Sequence, residues 1–138
     1  MSEGELAGKR VFVIGGETAL GRAVLIGLAE AGADIAIGSL TADTKAEFAI
    51  NSALNELWAL GRRGIALPID AADAEEVRSA IERAESELGT LDLVVAAGEV
   101  ASEALDGRET IELTADADAG EAIQAISEWL KEARWGSA

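Results

Sequence analysis

The residues with the clearest chemical potential form a glycine-rich segment near the amino terminus, from Gly15 to Gly21. The segment reads GGETALG and lies between an apolar run, Arg10 to Ile14, and a helical pattern. Glycines at such a turn let the backbone approach a pyrophosphate, which rests on the free N–H groups at the start of the helix. The segment therefore predicts phosphate binding, although a tight turn without a ligand would also need glycines.

Two smaller groups of polar residues have weaker chemical meaning. Ser127 and Lys131 are four residues apart in a helical pattern, so they lie on one face of the helix. A Ser–Lys nucleophile pair would have this arrangement, but an ordinary surface pair is the favoured interpretation. Asp116 and Asp118 resemble part of a calcium loop, and the capping of a helix is favoured because the full ligand set is missing. The sequence has no His and no Cys. We therefore expect no metal site and no His-dependent acyl-transfer triad.

Apolar runs of strand length alternate with helical patterns, which is typical of parallel βαβ units. Strands are predicted at 10–14, 35–37, 65–67 and 91–95, and helices at 19–31, 43–60, 74–88 and 118–134. The stretch 99–108 is predicted as loop with room for one helical turn, and 109–114 fits either an edge strand or the lead into the last helix. The predicted fold is an α/β, Rossmann-like parallel sheet in the order 3-2-1-4, with a fifth strand left open and helices on both faces. One truncated domain is expected over residues 1–138.

Large apolar side chains make further predictions about packing. Phe48 and Trp58 are counted among the apolar positions of the second helix, and Trp58 and Trp129 fit core-facing positions. Trp135 fits an interface equally well. The fourth strand contains Leu93, Val94 and Val95, which are too apolar to form an open edge. We therefore expect either that the C-terminal segment covers this edge or that a second copy pairs with it in a homodimer.

The charge of the chain argues against two classes of partner. Twenty-six acidic residues against eleven basic residues give a formal net charge of −15. That field repels the phosphate backbone of nucleic acids and anionic lipid surfaces. No apolar run reaches the length of about 20 residues that a membrane span needs, and the first ten residues do not resemble a secretory signal. A cytoplasmic location is expected.

The segment from Leu6 to Asp34 resembles the opening of the short-chain dehydrogenase/reductase family. It has the family's GK lead-in before the first strand, the glycine loop, and a first helix that ends in LAEAGA. The resemblance is good as far as Gly98 and looser beyond it. It implies a dinucleotide site in which Asp70 supports the adenine and Ala96-Ala97-Gly98 stands for the family's NNAG segment. The cofactor contacts that it implies are Gly15, Gly16, Thr18, Leu20, Gly21, Ser39, Asp70, Ala71, Ala97 and Gly98.

Several departures from the family pattern concern the cofactor. Ile14 replaces a Thr, Ala19 replaces the middle glycine, and both Asn residues of NNAG are absent. Ser39 stands where an acidic residue would bind the ribose, and the basic residue typical of NADP users is missing near Leu40. Glu17 places a negative charge beside the phosphate path. We therefore expect weak binding of NAD, and weaker binding of NADP.

The family's catalytic residues are a Tyr, a Lys four residues later, a Ser, and an Asn on the fourth helix. The sequence contains no Tyr, it ends before the Tyr–Lys segment, and the Asn position falls near Ser127. Family-type carbonyl reduction is therefore not expected, and the absence of Tyr favours a protein that is not an enzyme. Three functions stay open: a non-catalytic nucleotide-binding domain, an interaction or structural protein that has lost its ligand, and a truncated oxidoreductase that needs Tyr and Lys from a partner chain.

Overall fold

Five parallel strands form a single sheet in a computed structural model of the protein, which describes residues 4–136 and their side chains as far as Glu132. The strand order is β3-β2-β1-β4-β5, so the predicted order 3-2-1-4 is confirmed and the fifth strand is present. The strands are β1 (Arg10–Ile14), β2 (Asp34–Gly38), β3 (Gly64–Leu67), β4 (Leu93–Ala96) and β5 (Thr110–Glu112).

Four helices connect and cover these strands: α1 (Ala19–Glu30), α2 (Thr44–Ala59), α3 (Ala74–Leu88) and α4 (Ala119–Gly136). A 3₁₀ turn at Ser102–Leu105 lies between β4 and β5. The first three helices begin at capping side chains: Thr18 accepts from Gly21 N, Asp43 from Ala46 N, and Asp73 from the N–H groups of Glu75 and Glu76. These caps satisfy N–H groups that have no partner within the helix.

The sheet separates two apolar cores. Helices α1, α2 and α4 cover one face, where Val11 and Val13 of β1 are fully buried. Helix α3 and the 3₁₀ turn cover the other face, where Phe12 and Ile14 are fully buried. Because successive side chains of a strand point to opposite faces, the continuous apolar run of β1 fills both cores.

The edge of β4 is covered by β5, so the first of the two expected solutions is confirmed. Val94, Val95 and Ala96 pair with Thr110, Ile111 and Glu112 in parallel register. The alternative prediction, a homodimer that pairs through the edge of β4, does not hold because β5 occupies that edge. The free edge next to it belongs to β5.

The predicted core-facing position of Trp58 on α2 was wrong, and Phe48, which was counted among the apolar positions of this helix, also lies on its exposed side. Phe48 is 79% exposed and Trp58 is 56% exposed. The inward face of α2 is formed by Ile50, Ala53 and Leu57, which are fully buried. Trp129 of α4 is half-buried and packs against the core beneath α1. The Trp135 side chain lies outside the described residues.

Candidate nucleotide-binding site

The residues predicted to contact a cofactor come together at one edge of the sheet. They directly follow β1 (Gly15 to Gly21), β2 (Ser39), β3 (Asp70 and Ala71) and β4 (Ala97 and Gly98). The carboxyl ends of parallel strands share an edge, and the strand order reverses between β1 and β4, which is where ligands bind in open α/β sheets. Gly16 N donates to Gly38 O at 3.0 Å and Ala97 N donates to Ile14 O at 2.8 Å, so the loops are joined.

The glycines of the loop are required by neighbouring protein atoms. Gly15 has a φ of +105°, and a Cβ there would lie 2.7 Å from the carbonyl oxygen of Ala97. A Cβ on Gly16 would collide with the Ile37 side chain, and one on Gly21 would collide with the carbonyl oxygen of Gly15. The glycine pattern is therefore explained by packing of the loop, whether or not the loop binds a phosphate.

The start of α1 offers hydrogen-bond donors. The Thr18 hydroxyl donates to Gly15 O at 2.8 Å and accepts from Gly21 N at 2.9 Å, which fixes the direction of the first turn. Among the described residues, the N–H groups of Ala19 and Leu20 have no acceptor. Such N–H groups, together with the helix dipole, attract an anion.

Ser39 faces the interior of the protein instead of the open edge of the sheet. It is 0% exposed, and its hydroxyl donates to Ile69 O at 3.2 Å and accepts from Ile69 N at 3.0 Å. The side chain thus joins the ends of β2 and β3. A ligand at the sheet edge would not reach this hydroxyl, although the sequence placed Ser39 beside the ribose.

The Glu17 carboxylate contacts the chain just after the end of β2. Its Oε2 accepts a hydrogen bond from Leu40 N at 2.8 Å. Sequence reasoning noted the charge of Glu17 near the phosphate path but missed this contact, because its partner lies 23 residues further along the chain.

The side predicted to hold adenine is formed by Asp70, Ala71, Leu40 and Gly98. Asp70 is exposed, and one of its carboxylate oxygens accepts from Ala72 N at 3.0 Å. Ala71 N donates to Leu40 O at 2.9 Å. The Leu40 side chain lies against Gly98, where a Cβ would be only 2.6 Å from Leu40 Cδ1.

A cleft of about 810 Å³ opens next to this edge, at the carboxyl ends of β4 and β5. It shares Ala96 and Gly98 with the predicted site, and three carboxylates line it: Glu99, Glu103 and Glu112. Sequence reasoning missed the cleft, because most of its lining comes from 99–115, where the predicted structure was left open. Within residues 4–136, no group of three or more His, Cys, Asp or Glu side chains is arranged to hold a metal ion.

An ion pair fixes the chain between β4 and β5. Arg108 donates through both terminal nitrogens to Glu85, at 3.0 and 3.1 Å, and Leu91 N donates to the same carboxylate at 3.0 Å. The Arg108 guanidinium lowers the pKa of Glu85 below its usual value of 4.5, against the opposing effect of burial, and the Leu91 N–H adds to the lowering. The interaction joins α3 to the segment that leads into β5.

Lys131 and Asp118, from the smaller groups of polar residues, have structural partners. Lys131 Nζ lies 2.9 Å from Glu5 Oε1, so this ammonium group pairs with a carboxylate near the amino terminus. The Asp118 carboxylate accepts from Glu121 N at 2.9 Å, as expected for a helix cap. Ser127 lies on α4, about 12 Å along the helix axis from Ala119, given the rise per residue of an α-helix. Helix α4 packs on α1.

Comparison with known proteins identifies the family. The sequence model described as short chain dehydrogenase matches residues 9–132. The L-rhamnose 1-dehydrogenase (NAD(P)(+)) of Sphingomonas sp. is 39% identical over 90 residues, which cover 65% of this chain and 34% of that enzyme. The chain belongs to the short-chain dehydrogenase family, and the resemblance seen in the sequence is confirmed.

Solved structures agree on the fold. A blue fluorescent protein from a metagenomic library, in complex with NADPH, matches 66% of this chain with a TM-score of 0.62 and 38% identity. Carveol dehydrogenase from Mycobacterium avium, in complex with NAD, matches 70% with a TM-score of 0.64 and 28% identity. The match covers 36% and 38% of those chains, so this chain spans about a third of their length.

Proposed function

We propose that residues 1–138 form one nucleotide-binding domain that holds the adenosine diphosphate part of NAD and does not itself carry out hydride transfer. The observation that carries this proposal is the pair of N–H groups of Ala19 and Leu20 at the start of α1, which have no acceptor among the described residues. They lie beside the glycine loop, at the point where the strand order reverses. This is the arrangement that receives a diphosphate in dinucleotide-binding folds.

The remaining residues fit the other parts of the ligand. The exposed Asp70 carboxylate has a second oxygen available for an adenine amino group, and the 810 Å³ cleft beyond Gly98 has room for the nicotinamide half. Relatives in complex with NADPH and with NAD support the ligand class. The negative charge of Glu17 favours NAD over NADP, which carries one more phosphate.

The chemistry available from these residues favours binding without catalysis. NAD supplies a hydride acceptor when it is bound, and the family pairs it with a Tyr and a Lys that move the proton. The sequence has no Tyr and no His, and Lys131 is paired with Glu5. Proton transfer of the family's type would require groups from another segment or a partner chain.

Replacement of Ala19 by Glu tests the proposed phosphate site. Ala19 is exposed at the first position of α1. A carboxylate there interacts favourably with the helix dipole and stabilises the helix by about 0.3–1 kcal/mol, while it repels a bound diphosphate. We expect Ala19→Glu to weaken ADP and NAD binding by roughly tenfold or more without lowering the melting temperature. Isothermal titration calorimetry measures the affinity, and a thermal scan without ligand measures the stability.

Ala19→Gln is the matched control, since it has the same size without the charge and should bind much closer to the wild type. Equal weakening by Gln and Glu would mean that bulk, and not charge, matters at this position. If neither ADP nor NAD binds the wild-type protein at millimolar concentration, the loop is only a turn. The alternative, an interaction protein that kept the fold and lost the ligand, would then be favoured, in agreement with the packing role of the glycines and of Leu40.

A further inference from the structure

Three hydrogen bonds tie the glycine loop to the end of β2. Gly15 N and Gly16 N both donate to Gly38 O, at 2.8 and 3.0 Å, and Leu40 N donates to the Glu17 carboxylate at 2.8 Å. The side chain of Glu17 therefore crosses from the loop after β1 to the first residues after β2. This position is set by the fold, since the loop cannot shift without breaking backbone hydrogen bonds.

The end of β2 is where a dinucleotide-binding domain needs a carboxylate. An acidic residue there accepts a hydrogen bond from the hydroxyl groups of the adenosine ribose. In this chain the corresponding residue is Ser39, whose hydroxyl is fully buried and bonded to Ile69. The Glu17 carboxylate lies at the N–H of the next residue, Leu40.

One oxygen of the Glu17 carboxylate has no partner. Oε2 accepts from Leu40 N, whereas Oε1 is buried and receives no hydrogen bond from the described residues. It is the one buried side-chain oxygen or nitrogen within residues 4–132 that has none. A shielded carboxylate oxygen without a donor is unfavourable, because the hydrogen bonds that it would make with water are lost.

We propose that Glu17 is the ribose-binding acid of this domain and that it acts from the glycine loop in place of the missing acidic residue after β2. One carboxylate oxygen stays on Leu40 N–H, and the other accepts from the 2′-hydroxyl of the adenosine ribose. The second oxygen is buried in the structure, so binding requires a local rearrangement around Glu17 that opens this oxygen to the ligand while Oε2 stays on Leu40 N–H. The inference rests on the proposed function, since it concerns a residue of the same site.

The same geometry sets the choice between the two dinucleotides. A phosphate on the 2′ position replaces the hydroxyl donor with an anion and places it against a carboxylate, which is repulsive. Glu17 would thus select the free ribose of NAD by attraction and reject NADP by charge.

Binding of ADP, 2′-deoxy-ADP and adenosine 2′,5′-bisphosphate to the wild type and to Glu17→Gln tests this assignment. Gln keeps an oxygen for Leu40 N–H but has no second acceptor and no charge. We expect the wild type to bind ADP about tenfold or more tightly than 2′-deoxy-ADP, as for a hydrogen bond to a charged group. In Glu17→Gln that ratio should fall several-fold, because the amide N–H can offer the ribose hydroxyl only a neutral hydrogen bond, and the 2′,5′-bisphosphate should bind more tightly than it binds the wild type.

The controls separate this inference from the proposed function. Glu30→Gln removes the same charge from the exposed end of α1 and should leave the ratio unchanged. Wild-type binding of ADP and 2′-deoxy-ADP with equal affinity would overturn the role of Glu17 and leave the nucleotide site intact, as would an unchanged ratio in Glu17→Gln. If Glu17→Gln does not fold, the ratio of the affinities for ADP and 2′-deoxy-ADP is measured for Glu17→Ser and compared with the ratio for the wild type. No binding of ADP to the wild type would overturn the proposed function itself.

Discussion

A side chain of any size at Gly21 would collide with the carbonyl oxygen of Gly15, and one at Gly15 would lie 2.7 Å from the oxygen of Ala97. These contacts make the glycines necessary for the loop itself. Single residues thus carry two kinds of information in this chain. Glycines report on packing, whereas a polar side chain with an unmet hydrogen bond, such as Glu17, has an acceptor that the described residues do not use.

The Glu85–Arg108 pair gives a prediction at the scale of single residues. The pKa of Glu85 is lowered in the folded state, chiefly by Arg108, so its contribution to stability is present above the usual value of 4.5 and disappears as the pH falls through the lowered folded pKa. Glu85→Gln should lower the free energy of unfolding by about 1 kcal/mol at pH 7, as for a partly exposed bidentate pair.

Urea unfolding of both proteins between pH 7 and pH 3 measures this effect. The difference between Glu85→Gln and the wild type should shrink as the pH falls below 4.5. Glu87→Gln, on the exposed side of the same helix, serves as the control and should show a smaller difference at pH 7. A difference for Glu85→Gln that is constant over the whole range would contradict the role of the charged form.

Among the elements, α4 determines how one face of the sheet is covered. It packs against α1, where Gly27 has no side chain and the Ile123 side chain occupies the space that a Cβ would fill. Ile126 and Leu130 continue this contact and are buried to within 1%. The connection from β4 to β5 stays on the α3 face through Ala104 and Leu105, so α4 returns to the opposite face and completes the layer of α1 and α2.

Truncation of Leu130 tests the contribution of α4. Leu130 is 0% exposed, and Leu130→Ala should lower the free energy of unfolding by about 2–5 kcal/mol, because the buried side chain leaves a cavity. Gln124→Ala, on the exposed face of the same helix, should change it by less than about 0.5 kcal/mol. A small effect of Leu130→Ala in urea unfolding would mean that α4 contributes little to the fold.

In the described part of the chain, no helix has the length and apolar character of a membrane span.

For the whole molecule, the dominant property is a formal net charge of −15. Repulsion among these charges destabilises the compact state, and dissolved salt screens it over a distance that falls from about 10 Å at 0.1 M to about 3 Å at 1 M. The same repulsion opposes the approach of a second copy to the free edge of β5, where Glu112 is exposed. Charged residues on an edge strand discourage pairing between sheets.

The melting temperature should therefore rise as NaCl is increased from about 0.1 to 1 M at pH 7. The same titration near the isoelectric point of about 4.2, where the net charge vanishes, is the control and should show a much smaller rise. A melting temperature that falls with salt at pH 7 would show that attractive ion pairs, such as Arg22–Glu56, outweigh the net repulsion.

Much of the fold could be predicted from the sequence because it depends on local periodicity. The bounds of β1 (Arg10–Ile14) and α3 (Ala74–Leu88) agree with prediction at both ends. In each case a run of apolar residues, or an apolar stripe behind a capping Asp73, is enough to define the element. The positions of the candidate site residues followed as well, since parallel strands carry their carboxyl ends to one edge.

Other features depended on contacts between distant segments, and only the tertiary structure decided them. The alternation in residues 109–114 fits a strand or the approach to a helix, and pairing with β4 makes it β5. The outward position of Phe48 and Trp58 was set by the packing of Ile50 and Leu57.

The features of the candidate site also divide into those that the sequence determined and those that the tertiary structure decided. By itself, the sequence determined the glycine loop, the strand–helix order, the net charge and the absence of Tyr. The tertiary structure turned Ser39 inward and brought the Glu17 carboxylate to Leu40, 23 residues away. The physical reason is that secondary structure follows from interactions between near neighbours in the chain, whereas the partners of a polar side chain depend on which segments the packed core brings together.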